Sequence, residues 1–319
     1  MAKFAPALQS AVLAIALATA SVAMAEPVGF SVDSRGAVDN MFSLWRINLS
    51  TGESERVGRL SPQDAYRDVE ALALSPEEQL FGADDDTNTL LRIRQDGFAF
   101  PLEGGITGNM DLSGTYDFGM SFDCSGALYV TSAIEQSLFT ADVSSGALQR
   151  VGPAGALGAP ITDLAIWGNR AYGIGVGSNN AGEERAPNLY RLDLSQPSAE
   201  LIGPLGGQVA RYNNAGLSFD REGRLWAITD RRAVGGQNID GASQILLIDP
   251  ASGQAAVQAE TSFNGGEPLI GLEPLAIAPP GGCGEVGRPA AIPSMSPVGM
   301  LLLMLSLLLF GSLQFRRSC

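Results

Sequence analysis

Leu217-Ser-Phe-Asp-Arg-Glu-Gly-Arg-Leu-Trp-Ala-Ile-Thr-Asp230, followed after a loop by Gln244-Ile-Leu-Leu-Ile-Asp-Pro-Ala-Ser-Gly-Gln-Ala-Ala-Val257, reads as four short strands. Each apolar run is too short for a helix, and each is bounded by Asp-x-x-Gly or Pro-x-x-Gly turn chemistry. The same frame recurs along the chain with a period of about 50 residues, the mark of a propeller or a solenoid. Residues 72–76, 79–84 and 89–94 fit it, as do 120–124, 127–131, 137–142 and 146–152. So do residues 164–168, 170–174, 188–193 and 199–203. The two ends of the repeat region are complementary. Residues 28–33, 44–48 and 55–58 match the second, third and fourth strands of a unit, whereas residues 275–278 match a first strand with no second strand after it. One unit is therefore expected to be split between the ends, which closes a ring and leaves no unpaired edge between first and last units. The expectation is an all-β chain forming a five-bladed β-propeller over residues 26–283, with one blade shared between N- and C-terminal strands. A six-bladed ring with one degenerate blade is the alternative.

The flanks have a different composition. Met1-Ala2-Lys3 is a short basic start, residues 11–20 are apolar, and Ala23-Met24-Ala25 places small residues where a signal peptidase reads them. Residues 1–25 thus read as a secretory signal peptide, cleaved after Ala25. At the other end residues 298–313 carry no charge and Arg316-Arg317 follow at once, the pattern of a short transmembrane helix with its basic end in the cytoplasm. Residues 284–291 read as a linker. Residues 292–300, Ile-Pro-Ser-Met-Ser-Pro-Val-Gly-Met, resemble the IPTL-type C-terminal sorting signal of bacteria, a relative of the signals handled by exosortases. Ile292, Pro293, Ser296 and Gly299 match that pattern, as does the Arg316-Arg317 cluster, while Ser294, Met295 and Val298 stand where the family carries Thr, Leu and Trp. The resemblance implies a sorting enzyme as partner, transient anchoring by the tail over 292–319, and a place at the cell envelope or surface. A permanent single-span anchor is the alternative.

The chain has 34 acidic residues, 20 basic ones and no histidine. All the acids lie between Glu26 and Glu285, and Lys3, Arg316 and Arg317 lie in the end segments, so the exported domain and its linker together carry 34 acids against 17 arginines. That balance disfavours nucleic acid as a partner and favours cations. Lys3 is the single lysine. Without His or Lys, the domain has no Ser-His-Asp or Cys-His triad, no His-ligated zinc and no Schiff-base lysine. Carboxylates, Tyr, Arg or an oxygen-ligated metal are what remain. Cys124 and Cys283 are the two cysteines of the domain, and an exported chain meets an oxidising compartment, so a Cys124–Cys283 disulfide or two separate buried thiols are both open.

A carboxylate or amide stands at each first strand: Glu70, Asp117, Asp163, Asn214 and Glu273. Five converging oxygen donors suit Ca²⁺, which takes about 6–8 oxygen ligands. Their layout is similar to that of calcium-dependent propeller lactonases, which hold the ion with acidic and amide residues at the channel mouth. The alternative is that these side chains cap strand ends and bond loop backbone. Asp84, Asp86 and Asn88 have the first alternate positions of a calcium loop, but Thr89 and Gln95 stand where that loop needs Gly and Glu, so an acidic hairpin turn is the rival reading. Two long polar loops, 176–187 and 231–242, occupy the same position in adjacent units. Trp167, Trp226 and Tyr172 are expected in the core. No nucleophile constellation is legible. The tail resemblance implies a displayed binding or interaction module, with an extracellular polysaccharide or protein as partner. A Ca²⁺-dependent, lactonase-like hydrolase at the channel mouth is the alternative, and a purely structural envelope protein is a third reading.

Overall fold

Short strands separated by tight turns build the whole of what the computed structural model describes, which is residues 27–33, 42–62, 65–102, 108–111, 116–177, 185–232 and 241–283. The expected signal peptide, linker and sorting tail lie outside these residues, as do the middles of the two long loops. No helix among the described residues is long and apolar enough to cross a membrane.

Four antiparallel four-stranded sheets follow one another along the chain. Blade I is β4 (Val69–Leu74), β5 (Leu80–Asp84), β6 (Thr89–Ile93) and β7 (Ala99–Pro101). Blade II is β8 (Phe118–Phe122), β9 (Leu128–Ser132), β10 (Ser137–Ala141) and β11 (Leu148–Val151). Blade III is β12 (Ile161–Trp167), β13 (Arg170–Gly175), β14 (Asn188–Asp193) and β15 (Ser198–Pro204). Blade IV is β16 (Ala215–Phe219), β17 (Leu225–Thr229), β18 (Gln244–Ile248) and β19 (Ala255–Glu260). Blade V joins the two ends. β1 (Val28–Val32), β2 (Ser43–Asn48) and β3 (Ser54–Arg59) form its outer part, and residues 272–276 lie along the inner edge of β1. The Phe30 N–H donates to the Ala276 carbonyl at 2.7 Å, and the Ala276 N–H donates back to Phe30 at 3.0 Å. A small hairpin, β20 (Ser262–Phe263) with β21 (Glu267–Pro268), precedes that inner strand.

The core decides the blade number. Five clusters of buried apolar side chains sit one at each blade–blade interface, from Phe81 and Phe118 between I and II to Trp45 and Trp226 between IV and V. Val32 and Ala276 of blade V meet Val69 and Leu72 of blade I in the last of them, so the ring closes on five. Burial falls from the inside outward. Inner strand β4 is buried along nearly its whole length, whereas outer strand β19 alternates half-buried and exposed residues. Trp226 and Tyr172 are buried, as expected, and half-buried Trp167 packs against Phe219.

Inner strands approach each other closely, and glycine permits it. A Cβ at Gly119 of β8 would overlap the backbone of Thr162 and Asp163 in β12, and one at Gly216 of β16 would overlap Glu273 and Leu275. Aspartate builds the turns leaving β8 and β16: the Asp123 carboxylate accepts from the Ser125 and Ala127 N–H groups at 2.8 and 2.9 Å, and the Asp220 carboxylate from the Glu222 and Arg224 N–H groups at 3.0 and 2.8 Å. Beyond blade V the chain runs under the end of the channel formed by these turns. Gly281 pairs with Trp167, and the Gly168 N–H donates to the Gly281 carbonyl at 2.8 Å. Cys283 is then bonded to Cys124 in the β8–β9 turn, a disulfide across 159 residues.

Candidate cation site at the channel mouth

The inner strand of a blade pairs on one side only, so its other edge presents N–H groups to the channel that need acceptors. Acidic side chains meet that need. Asp163, fully buried, accepts from Met120 N–H at 2.9 Å and Leu164 N–H at 2.8 Å through Oδ1, and from Leu217 N–H at 2.7 Å through Oδ2. It stitches blades II, III and IV together. Burial nevertheless pushes its carboxyl well up, against the three N–H donors that pull it down. Asp163 is thus committed to backbone, which is the strand-capping role rather than the ligand role. Glu70 in β4 performs part of the same service, its Oε2 accepting from Phe118 N–H at 3.0 Å.

At the start of the inner strands the other acids converge. Glu70, Asp117 and Glu273 lie near one another, and Asp68, Asp85 and Asp230 stand beside them. Oxygens of Asp68, Glu70 and Asp85 all lie within 4.8 Å of one another. Asp68 precedes β4, Asp85 follows β5, and Glu70 lies between them in β4, so blade I supplies all three. Asp85 is fixed by accepting from Tyr116 N–H at 2.8 Å. Asp117 is held with a left-handed backbone, φ 48°, a conformation Asp tolerates better than most residues, and its carboxyl hydrogen-bonds Glu70. Asn214 sits at the equivalent place in blade IV, where its carbonyl accepts from Asp230 N–H at 2.8 Å.

The electrostatics follow from crowding and burial. Burial and then the neighbouring Glu273, Asp117, Asp68 and Asp85 raise Glu70 well above the ordinary range. Burial lifts Asp85 to about 7 and Asp68 to about 6, the latter in spite of nearby Arg232. Glu273 is raised well up by burial, against the pull of Arg232. Burial alone would lower Arg232, but Glu273, Asp230, Asp68 and Glu70 around it leave its guanidinium more strongly protonated than usual. Among the described residues, Asp68 Oδ1 and Glu273 Oε2 are buried oxygens of this mouth without a hydrogen-bond partner. A converging set of oxygen donors with unsatisfied lone pairs and excess negative charge is what a hard divalent cation takes.

The second candidate loop takes another form. Asp84 ends β5 with its carboxylate turned to its own hairpin, accepting from Thr87 N–H at 2.9 Å, Thr87 Oγ1 at 2.6 Å and Asp68 N–H at 3.1 Å. Asn88 adopts φ 49° to complete the turn, and Asp86 is exposed. Asp84, Asp86 and Asn88 therefore form the acidic hairpin turn between β5 and β6. Asp68, Asp85, Asp230 and Arg232 were not singled out from the sequence. The signals were present but plain: Asp68 is two residues before Glu70, Asp85 lies inside the acidic run, and Asp230-Arg231-Arg232 opens a long loop.

No family model matches the chain, and no curated protein matches it. Solved structures do resemble it. A catalytically inactive virginiamycin B lyase from Staphylococcus aureus, with quinupristin, is 13% identical with a TM-score of 0.39, over 73% of this chain and 70% of the lyase. A gluconolactonase from Xanthomonas campestris is 13% identical with a TM-score of 0.40, over 75% of this chain and 81% of its own. A protein of unknown function from Bacteroides thetaiotaomicron is 12% identical with a TM-score of 0.40, over 59% of this chain and 51% of its own. At such values the likenesses carry nothing about ligand or reaction, and the propeller stands on its own five sheets and five interfaces.

Proposed function

We propose that this chain is an exported β-propeller that serves as a binding module at the cell envelope or surface, and that its recognition face is the acidic channel mouth with a Ca²⁺ ion held by Asp68, Glu70 and Asp85. The observation that carries the reading is the approach of those three carboxylates to within 4.8 Å of one another in a buried, charge-rich position. Export and transient anchoring rest on the two end segments and on the resemblance of residues 292–300 to a sorting signal. Calorimetric titration of the purified protein with Ca²⁺ is expected to give heat and a higher melting temperature. Neither heat nor a shift would overturn the cation reading.

A Ca²⁺-dependent hydrolase is the second reading, favoured by one observation. Asp117 touches Glu70, and burial raises its carboxyl, so a group able to carry a proton stands beside the proposed cation. A bound Ca²⁺ would supply Lewis acidity, and Asp117 would take or give the proton. Lactone and phosphoester hydrolysis that depends on Ca²⁺ and is lost in Asp117→Asn would support this reading. Turnover that Asp117→Asn leaves unchanged would remove it.

A further inference from the structure

We propose that Arg232 is the resident counter-ion and the specificity-determining residue of the mouth: it stands in for a cation on Asp68, so that a metal ion must displace it, and a divalent ion gains by doing so where a monovalent ion does not. The inference rests on the cation position proposed above.

Arg232 is held in place from its backbone outward. Its N–H donates to Asp230 Oδ1 at 2.8 Å, and its carbonyl accepts from Asn213 Nδ2 at 2.7 Å. The side chain then spans acids from three blades. Nε lies 2.8 Å from Asp230 Oδ2 of blade IV, Nη2 lies 3.6 Å from Glu273 Oε2 of blade V, and Nη1 lies 3.7 Å from Asp68 Oδ1 of blade I. The last two separations are those of an ion pair and too long for a hydrogen bond. The guanidinium therefore neutralises Glu273 and Asp68 from a distance without satisfying their lone pairs, and Glu273 is only 2% exposed.

Asp68 belongs to both arrangements: it is one of the three carboxylates that converge for a metal and one of the three that face Arg232. A metal ion at about 2.3–2.6 Å from Asp68 replaces the long ion pair with a short, directional bond. Exchanging one unit of positive charge for another leaves the surplus of acids unchanged, whereas a divalent ion reduces it. The ligand class is therefore a hard divalent cation with oxygen ligands, and Arg232 excludes Na⁺ and K⁺.

The test is titration of the purified protein with Ca²⁺ alone, for wild type, Arg232→Met and Arg232→Lys, with Na⁺ as competitor. Removing a unit charge beside the site is expected to tighten Ca²⁺ about tenfold or more in Arg232→Met. Arg232→Lys, which keeps the charge, is expected to stay within about threefold of wild type. Na⁺ is expected to compete with Ca²⁺ in Arg232→Met only. Binding by wild type with equal or weaker binding by Arg232→Met overturns this inference and leaves the cation reading standing. No binding by any of the three overturns both. If Arg232→Met does not fold in chelator, recovery of the fold on adding Ca²⁺ supports the inference; failure in both conditions, repeated in Arg232→Gln, overturns it.

Discussion

The Asp163 carboxylate ties the ring together at one point, because it serves three N–H groups on three inner strands. Asp163→Ala leaves those donors buried and unsatisfied, at about 1–3 kcal/mol each before any relaxation. A loss of at least about 3 kcal/mol in urea unfolding is expected, and a loss below about 1 kcal/mol would show that water reaches the channel and takes over. Asp163 is legible in the sequence as a first-strand acid, with metal ligand and strand cap both open as its role. Which acid caps a neighbouring strand and which faces the mouth depends on the stagger between blades, and one chain position looks like another in the repeat. The same holds for Arg232, whose partners Asp68 and Glu273 come from blades I and V and meet it only once the ring is closed.

The strands themselves were largely readable. Apolar cores and turn residues place most of them within a few residues, the short β7, β20 and β21 carry no such signal, and the split blade follows from what each end lacks. The sequence pattern starts the inner strands at Leu72, Met120, Leu164 and Leu217, whereas the structure starts them at Val69, Phe118, Ile161 and Ala215. The reason is physical: Glu70 and Asp163 stand within the first residues of β4 and β12, and Gly119 and Gly216 within those of β8 and β16, so a polar or glycine start resembles a loop. Packing between these strands is sensitive at glycine. Gly119→Ala or Gly216→Ala drives a methyl into the backbone of the next inner strand, so each is expected to cost about 1–3 kcal/mol in unfolding free energy. An unchanged denaturation midpoint would mean that inner strands can slide apart. The Cys124–Cys283 bond belongs to this scale too. Replacing both cysteines by serine is expected to cost roughly 2–5 kcal/mol, read as a lower melting temperature that reductant no longer changes.

For the whole molecule, the crowded mouth sets how stability responds to pH. Asp85 and Asp68 have folded-state values of about 7 and about 6, against 3.8 for an ordinary aspartate. A carboxyl raised in this way stabilises the fold fully below 3.8 and loses that contribution as pH rises through its folded value. Exposed Asp142, Asp193 and Asp249 are lowered by hydrogen bonds from Ser144, Gln196 and Ser252, so their contribution has the opposite sign and is lost only below the ordinary value, outside this window. In chelator, the melting temperature is therefore expected to fall as pH rises from about 4 to about 7.5, and Ca²⁺ is expected to flatten the fall. A flat profile in chelator would show that the mouth carboxyls titrate normally. Mass spectrometry of the cell-derived protein is expected to find Glu26 as the first residue, and a mature chain starting at Met1 would remove the signal-peptide reading.

The path of the chain below blade V has a bearing on orientation. The acids stand where the inner strands begin, whereas Cys283 is fastened to the β8–β9 turn where β8 has ended, so Cys283 lies on the floor of the ring. β1 runs antiparallel to residues 272–276, so Val28 too starts from the floor. Val28 and Cys283, the two ends of the ring, thus share the face opposite the acids, so a partner gripping that face leaves the rim open to an incoming solute.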